Sequence, residues 1–142
     1  PKTPKPRSKD MIFINTKMQK TMKFMWCDGK GNMEQRECPV PTYDPDTEVL
    51  IQVKATGLNR ADLMQSQGKY PPPPGASDII GLECAGYLVE GDTVTTKRVM
   101  ALLTGGGFAE FARVHKDHVI DIPDNMSFEE AAAIPEQWLT AY

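Results

Sequence analysis

The 142-residue chain lacks any apolar run near the roughly 20 residues that a membrane-spanning helix needs. It also lacks a basic stripe in its body, and its formal net charge is −3. A general nucleic-acid surface would need such a stripe to neutralise phosphates. The composition therefore predicts a soluble globular protein with neither a membrane span nor a nucleic-acid partner.

Three further patterns are missing. The cysteines Cys27, Cys38 and Cys84 are odd in number and contain no CxxC pair, so neither a zinc ribbon nor a disulfide framework is predicted. No glycine-rich dinucleotide fingerprint occurs between a strand and a helix. The TGGG run at 104–107 is not followed by Gly-Lys-Ser/Thr, so it is not a phosphate loop, and it is predicted to be a hairpin turn.

Residues 1–21 differ in composition from the rest, with six lysines or arginines against a single acid. They are predicted to form a basic N-terminal extension, and a solvated tail is the favoured interpretation. The remnant of an organellar targeting peptide is the alternative. The predicted location is therefore the cytoplasm, with the mitochondrion as the alternative.

The remaining chain alternates short apolar strands with glycine and proline turns, which predicts a mainly β domain, a partly open barrel or sandwich. One hairpin is expected to turn at 28–32, and the clearest alternation is at 49–56. Further strands are predicted at 79–89, 98–103 and 108–114.

Local signals also place the helices. Asn59 is suited to cap a helix that ends near Gly68. Ser127 and Glu130 have capping-box spacing ahead of a helix predicted over 129–134. Pro135 is predicted to be the first residue of a last helix, which the sequence leaves uncapped at its end.

Several ordered motifs carry a family resemblance: MK at 22–23, LNRADLMQ at 58–65, GKYPPPPG at 68–75, GLE at 81–83, LLTGGG at 102–107 and AAAIPEQWLTA at 131–141. In this order and spacing they resemble the N-terminal GroES-like domain of the medium-chain dehydrogenase/reductase superfamily, and within it the zinc-free NADPH quinone oxidoreductases. The resemblance runs from residue 22 to 142. It implies a GroES-like, partly open β-barrel. The segment at 89–97 is shorter than the family pattern, which puts the hairpin there in doubt.

The resemblance implies hydride transfer from NADPH to a quinone or a similar activated carbonyl, with the cofactor carrying the chemistry. Asn59 and Tyr70 would line the cleft as catalytic residues, and Asn59 and Thr140 would contact the cofactor. Zinc-dependent relatives carry cysteine at the position of Asn59 and histidine at that of Leu82. Because neither residue here is a zinc ligand of the usual kind, no metal is predicted. Purely local roles remain open for all three site residues.

The resemblance also divides the chain into the extension 1–21, a GroES-like substrate-side domain 22–134, and a segment 135–142 that starts the helix toward a nucleotide-binding domain. The chain alone is therefore not expected to be active. Two functions stay open. The first is the substrate-side domain of an NADPH-dependent quinone oxidoreductase, which would form a homo-oligomer. The second is a non-catalytic GroES-like accessory subunit of a larger assembly, mitochondrial in this alternative.

Overall fold

The computed structural model describes residues 18–142, so the prediction for the N-terminal extension lies outside the described residues up to residue 17. The described chain is mainly β, as predicted. Its strands are β1 Thr21–Cys27, β2 Met33–Pro39, β3 Glu48–Ala55, β4 Glu83–Glu90, β5 Thr93–Leu102, β6 Phe111–His115 and β7 Val119–Asp121. Its α-helices are α1 Arg60–Ser66, α2 Phe128–Ala131 and α3 Gln137–Ala141, and a single 3₁₀ turn covers Lys116–His118.

The strands form one curled, antiparallel sheet of five, in the order β6-β3-β4-β5-β7, and a separate β1–β2 hairpin. The hairpin turns at 28–32 as predicted, and it joins the sheet through the segment ahead of β6. There the N–H of Met25 donates to the carbonyl of Phe108 at 2.9 Å, and the N–H of Glu110 donates to the carbonyl of Lys23 at 3.0 Å. The predicted partly open barrel is confirmed.

Apolar residues are buried on both faces of the sheet. Ile51 packs in one cluster with Cys84 and Val99, while its neighbour Leu50 packs in another with Phe111. Consecutive strand residues point to opposite faces. Since Leu50 and Ile51 are both fully buried, the middle of β3 is covered on each side. The alternation predicted for this strand agrees with the burial of Ile51, but it does not predict that Leu50, on the opposite face, is buried as well.

Two sequence predictions about the sheet are wrong. The hairpin after β4, which the sequence left in doubt, does form: Glu90 pairs with Thr93 across a two-residue turn in which Gly91 has φ +57°, and the register shifts between Tyr87 and Val89. This turn suits glycine, and β5 therefore starts five residues earlier than predicted for a strand at 98–103. The TGGG run at 104–107 is not a hairpin turn, since β5 pairs with β4 and β7 whereas β6 pairs with β3. Strand β7 was not predicted.

The helix signals are confirmed with two corrections, the first of which is that α2 ends at Ala131, three residues before the predicted end of the helix at 129–134. Ser127 caps α2 through a capping box, in which Ser127 Oγ accepts from the Glu130 N–H at 3.1 Å and the Glu130 carboxylate accepts from the Ser127 N–H at 2.8 Å. Asn59 occupies the N-cap position of α1. Pro135 is not the first residue of α3, because that helix begins at Gln137. Within residues 18–142, no helix is long and apolar enough to cross a membrane.

Candidate active site

Tyr70 lines a cavity of about 230 Å³ next to the proline run. The prolines at 71–74 restrict the backbone next to Tyr70, and the half-exposed phenol ring lies at the cavity wall. Opposite walls come from the start of β4, the end of β5 and the segment before α3. The residues that line the cavity are Gln65, Tyr70, Pro72, Pro73, Leu82, Leu102, Leu103, Thr104, His118 and Glu136.

Asn59 lies at the start of α1, where its backbone is extended with φ −115° and ψ 155°. Its backbone N–H donates to the carboxylate of Asp62 at 2.8 Å. This bond gives a partner to one of the N–H groups that have none within the helix at its N-terminal end. The side-chain nitrogen of Asn59, Nδ2, donates to Glu83 Oε1 at 2.9 Å. Asn59 therefore has a capping position and a second contact that capping does not need.

Glu83 is completely buried at the start of β4. Its second oxygen, Oε2, accepts from the backbone N–H of Glu136 at 2.9 Å. The side chain of Glu136 in turn accepts from the Thr140 hydroxyl at 3.1 Å. A chain of hydrogen bonds thus runs from Asn59 through Glu83 and Glu136 to Thr140, and Glu136 also lines the Tyr70 cavity.

A second buried carboxylate, Asp62, supports the same region. One oxygen accepts from the N–H of Gly81 at 3.1 Å and the other from the N–H of Asn59. Burial raises the pKa of Asp62, the two backbone hydrogen bonds oppose that shift, and the nearby charges of Glu83 and Glu136 add to it. The carboxylates of Asp62 and Glu83 therefore act in a low-dielectric region with backbone and amide donors as their partners.

Among residues 18–142, no group of three or more histidine, cysteine or acidic side chains is arranged to hold an ion. Leu82 presents an apolar wall to the cavity and Asn59 an amide, whereas zinc binds thiolate, imidazole or carboxylate. His115 and His118 are both exposed.

The structure thus connects two of the predicted site residues, Asn59 and Thr140, by hydrogen bonds and places Tyr70 at the adjoining cavity. Sequence reasoning missed Glu83 and Glu136, the residues that make the connection. Glu83 stands in an apolar strand pattern, and a carboxylate there is almost never buried without a partner. The acidic residue within an apolar strand was therefore the available signal, but the two hydrogen-bond partners of Glu83 lie 24 and 53 residues away in sequence.

Comparison with known proteins identifies the family of the chain. Residues 45–124, more than half of the chain, match the alcohol dehydrogenase GroES-like domain. The chain belongs to this family. Its relatives place it in the medium-chain dehydrogenase/reductase superfamily, so the GroES-like resemblance of the sequence is confirmed.

Among these relatives, the mouse synaptic vesicle membrane protein VAT-1 homolog-like is 41% identical over 118 residues, covering 80% of this chain and 28% of that protein. The crystal structure of the human VAT-1 homolog-like protein has a TM-score of 0.72 at 36% identity, covering 86% of this chain and 42% of that one. The quinone oxidoreductase from Thermus thermophilus, solved also with NADPH, has a TM-score of 0.70 at 35% identity, covering 85% of this GroES-like chain and 39% of that one.

This GroES-like chain therefore spans between about a quarter and two fifths of the length of these relatives. The two solved structures share the fold of this chain over the matched part.

Proposed function

We propose that this chain is the substrate-side domain of an NADPH-dependent, zinc-independent quinone oxidoreductase. The observation that carries the proposal is the hydrogen-bonded chain from Asn59 to Thr140 beside the Tyr70 cavity. The likeness to the Thermus thermophilus quinone oxidoreductase, whose structure includes a complex with NADPH, supports the choice of cofactor.

The residues present fit a reduced nicotinamide in chemical type. NADPH would supply the hydride when bound, and this domain would supply amide and hydroxyl groups from Asn59 and Thr140 to orient the nicotinamide ring. Tyr70 would act at the acceptor side, either as a phenol donor to the carbonyl oxygen that gains charge or as an apolar wall. Leu82 keeps the cavity apolar on the side where zinc-dependent relatives carry a ligand.

The test uses the full-length product of the reading frame that contains this chain. Oxidation of NADPH is followed by its absorbance with 1,4-benzoquinone as acceptor, and zinc content is measured on the same sample. We expect turnover without stoichiometric zinc. Failure to oxidise NADPH with any quinone or activated carbonyl would contradict the proposal and favour the accessory-subunit alternative.

Variants of Tyr70 separate its two roles. Loss of a proton donor lowers rates on the order of 10²-fold, so Tyr70→Phe should cause that loss if the phenol donates. If the ring is only a wall, Tyr70→Phe will retain activity and Tyr70→Ala will not. Tyr43→Phe is the control, because Tyr43 packs on the apolar cluster around Leu50. Full activity in both Tyr70 variants would remove Tyr70 from the site.

Location and assembly stay proposals. We place the protein in the cytoplasm as a homo-oligomer, and size-exclusion chromatography with light scattering tests the oligomeric state. The mitochondrial alternative depends on the basic extension, most of which lies outside the described residues.

A further inference from the structure

Glu83 combines complete burial with an unusual set of partners. Within the described residues it forms no ion pair. Instead, its two oxygens accept one hydrogen bond each, from the Asn59 side chain and from the Glu136 backbone. Its backbone carbonyl accepts from the Thr56 hydroxyl at 2.7 Å. Burial of a charge is unfavourable unless such donors compensate it, and an apolar side chain of similar size would avoid the penalty altogether.

The chain also reserves the space that this carboxylate fills. A Cβ built on Gly57 would lie 2.0 Å from Glu83 Oε1 and 2.6 Å from its Cδ. A Cβ built on Gly107 would lie 2.8 Å from the Glu83 carbonyl oxygen. Gly57 therefore lets the chain pass close to the Glu83 carboxylate, and Gly107 lets it pass close to the Glu83 backbone.

The chemistry of the pair selects one orientation of the Asn59 amide. An ionised carboxylate only accepts hydrogen bonds, so the amide nitrogen of Asn59 must face Glu83 and the amide oxygen must face away. Without such a partner the two orientations of an asparagine amide differ little in shape. The second oxygen of Glu83 is engaged by Glu136, whose segment carries Thr140.

We propose that Glu83 is a positioning residue that fixes the Asn59 amide in one orientation and ties it to the segment 135–140. Glu83 does not line the cavity itself and acts through Asn59. The inference deepens the proposed function, and only its kinetic consequence rests on that function. The orientation of the amide can be measured without any reaction.

Glu83→Gln is the informative change because it keeps the shape and replaces one acceptor by a donor. If the oxygen of the new side-chain amide accepts from the Glu136 N–H, the nitrogen of that amide meets the Asn59 nitrogen, donor against donor. Asn59 relieves that conflict by turning its own amide over. The double variant Asn59→Asp with Glu83→Gln restores a complementary pair, with donor and acceptor exchanged.

The first measurement is NMR of the Asn59 side-chain amide in the 142-residue chain. In the wild type we expect one Asn59 amide proton to be shifted downfield and to exchange with solvent at least about tenfold more slowly than that of the exposed Asn125. Glu83→Gln should abolish both differences. Should Glu83→Gln not fold, the wild-type exchange rate alone decides, and fast exchange of both protons would overturn the proposal.

Glu110→Gln is the matched control. The Glu110 carboxylate also accepts from one side-chain amide, Gln19 Nε2 at 2.8 Å, and from one backbone N–H, that of Lys23 at 2.8 Å. It lies on the exposed side of the β1 junction, so its variant should leave the Asn59 resonances unchanged. Equal effects of the two glutamine variants would show a general loss of structure and overturn the proposal.

The second measurement is kinetic, in the full-length product. Misplaced groups at a reacting centre lower rates on the order of 10²-fold, so Glu83→Gln should lower kcat/KM substantially. The double variant should unfold at the same urea concentration as the wild type, since its side-chain pair is again complementary. Its kcat/KM should nevertheless stay low. Regain of both would show a merely structural pair and overturn the positioning role. Absence of wild-type activity would count against the proposed function alone, since the NMR result still decides the role of Glu83.

Discussion

Gly57→Ala tests how firmly the buried carboxylate is held. The new Cβ would lie 2.0 Å from Glu83 Oε1 and 2.9 Å from the carbonyl oxygen of Ala132, distances that real Cβ atoms do not reach. Gly57 does not have a positive φ, so alanine meets no backbone strain there and the whole effect is steric. The replacement therefore measures the resistance of Glu83 to displacement.

The structure sets the size of the effect. If the carboxylate moves away, it leaves two hydrogen bonds, and each bond to a charged group contributes about 1.5–3 kcal/mol. If the backbone moves instead, overpacking costs about 1–3 kcal/mol. We expect the free energy of unfolding to fall by about 3 kcal/mol. With a urea m-value of about 1.5 kcal/mol per M, the midpoint drops by about 2 M.

The assay is urea unfolding of the 142-residue chain, followed by tryptophan fluorescence. Gly91→Ala is the control, because Gly91 has φ +57° and a Cβ there would meet nothing within 4 Å. Its cost is backbone strain alone, about 1–2 kcal/mol. A smaller loss for Gly57→Ala than for Gly91→Ala would refute the reasoning, since it would mean that Glu83 moves aside without losing its partners.

Other consequences concern buried and stacked groups. Burial raises the pKa of Cys84 to about 12, so a maleimide should label the other two, half-buried cysteines in the native protein and reach Cys84 only in urea. The folded-state pKa of Asp62 is raised, so its contribution to stability is present in full below its unfolded pKa and is lost as pH rises through the folded value. The destabilisation by Asp62→Asn, from urea midpoints, should therefore be larger at pH 4 than at pH 7, and the reverse order would contradict the shift. Arg98 donates to the carbonyls of 123, 124 and 126 and lies over the Phe128 ring, its Cζ 4.7 Å from the centroid. Arg98→Lys keeps the charge and loses the planar fork, so unfolding free energy should fall by about 1–2 kcal/mol, whereas an unchanged midpoint would contradict that role.

Local sequence signals predicted the elements whose causes are local. The box of Ser127 and Glu130 closes within four residues, and the alternation at 49–56 gives strand β3 almost to the residue. The order of strands could not be predicted in this way. Strand β6 pairs with β3, about sixty residues earlier in the chain. The glycine run before β6 therefore connects two strands that are not neighbours in the sheet, although its sequence is typical of a hairpin turn.

The site shows the same division between local and distant causes. Asn59 was found because it begins a helix and because its motif resembles a known family. Glu83 was not, since its strand pattern is apolar and both of its partners come from distant segments. Yet Glu83 makes the site one unit, because Glu83 belongs to β4 in the sheet, whereas Asn59 is the N-cap of α1 and Glu136 is the N-cap of α3. A buried acceptor with two donors from separate elements can only be satisfied when both elements are in place. The sheet therefore controls the relative position of the two segments that carry Asn59 and Thr140. A substitution that displaces Glu83 should change the positions of both segments.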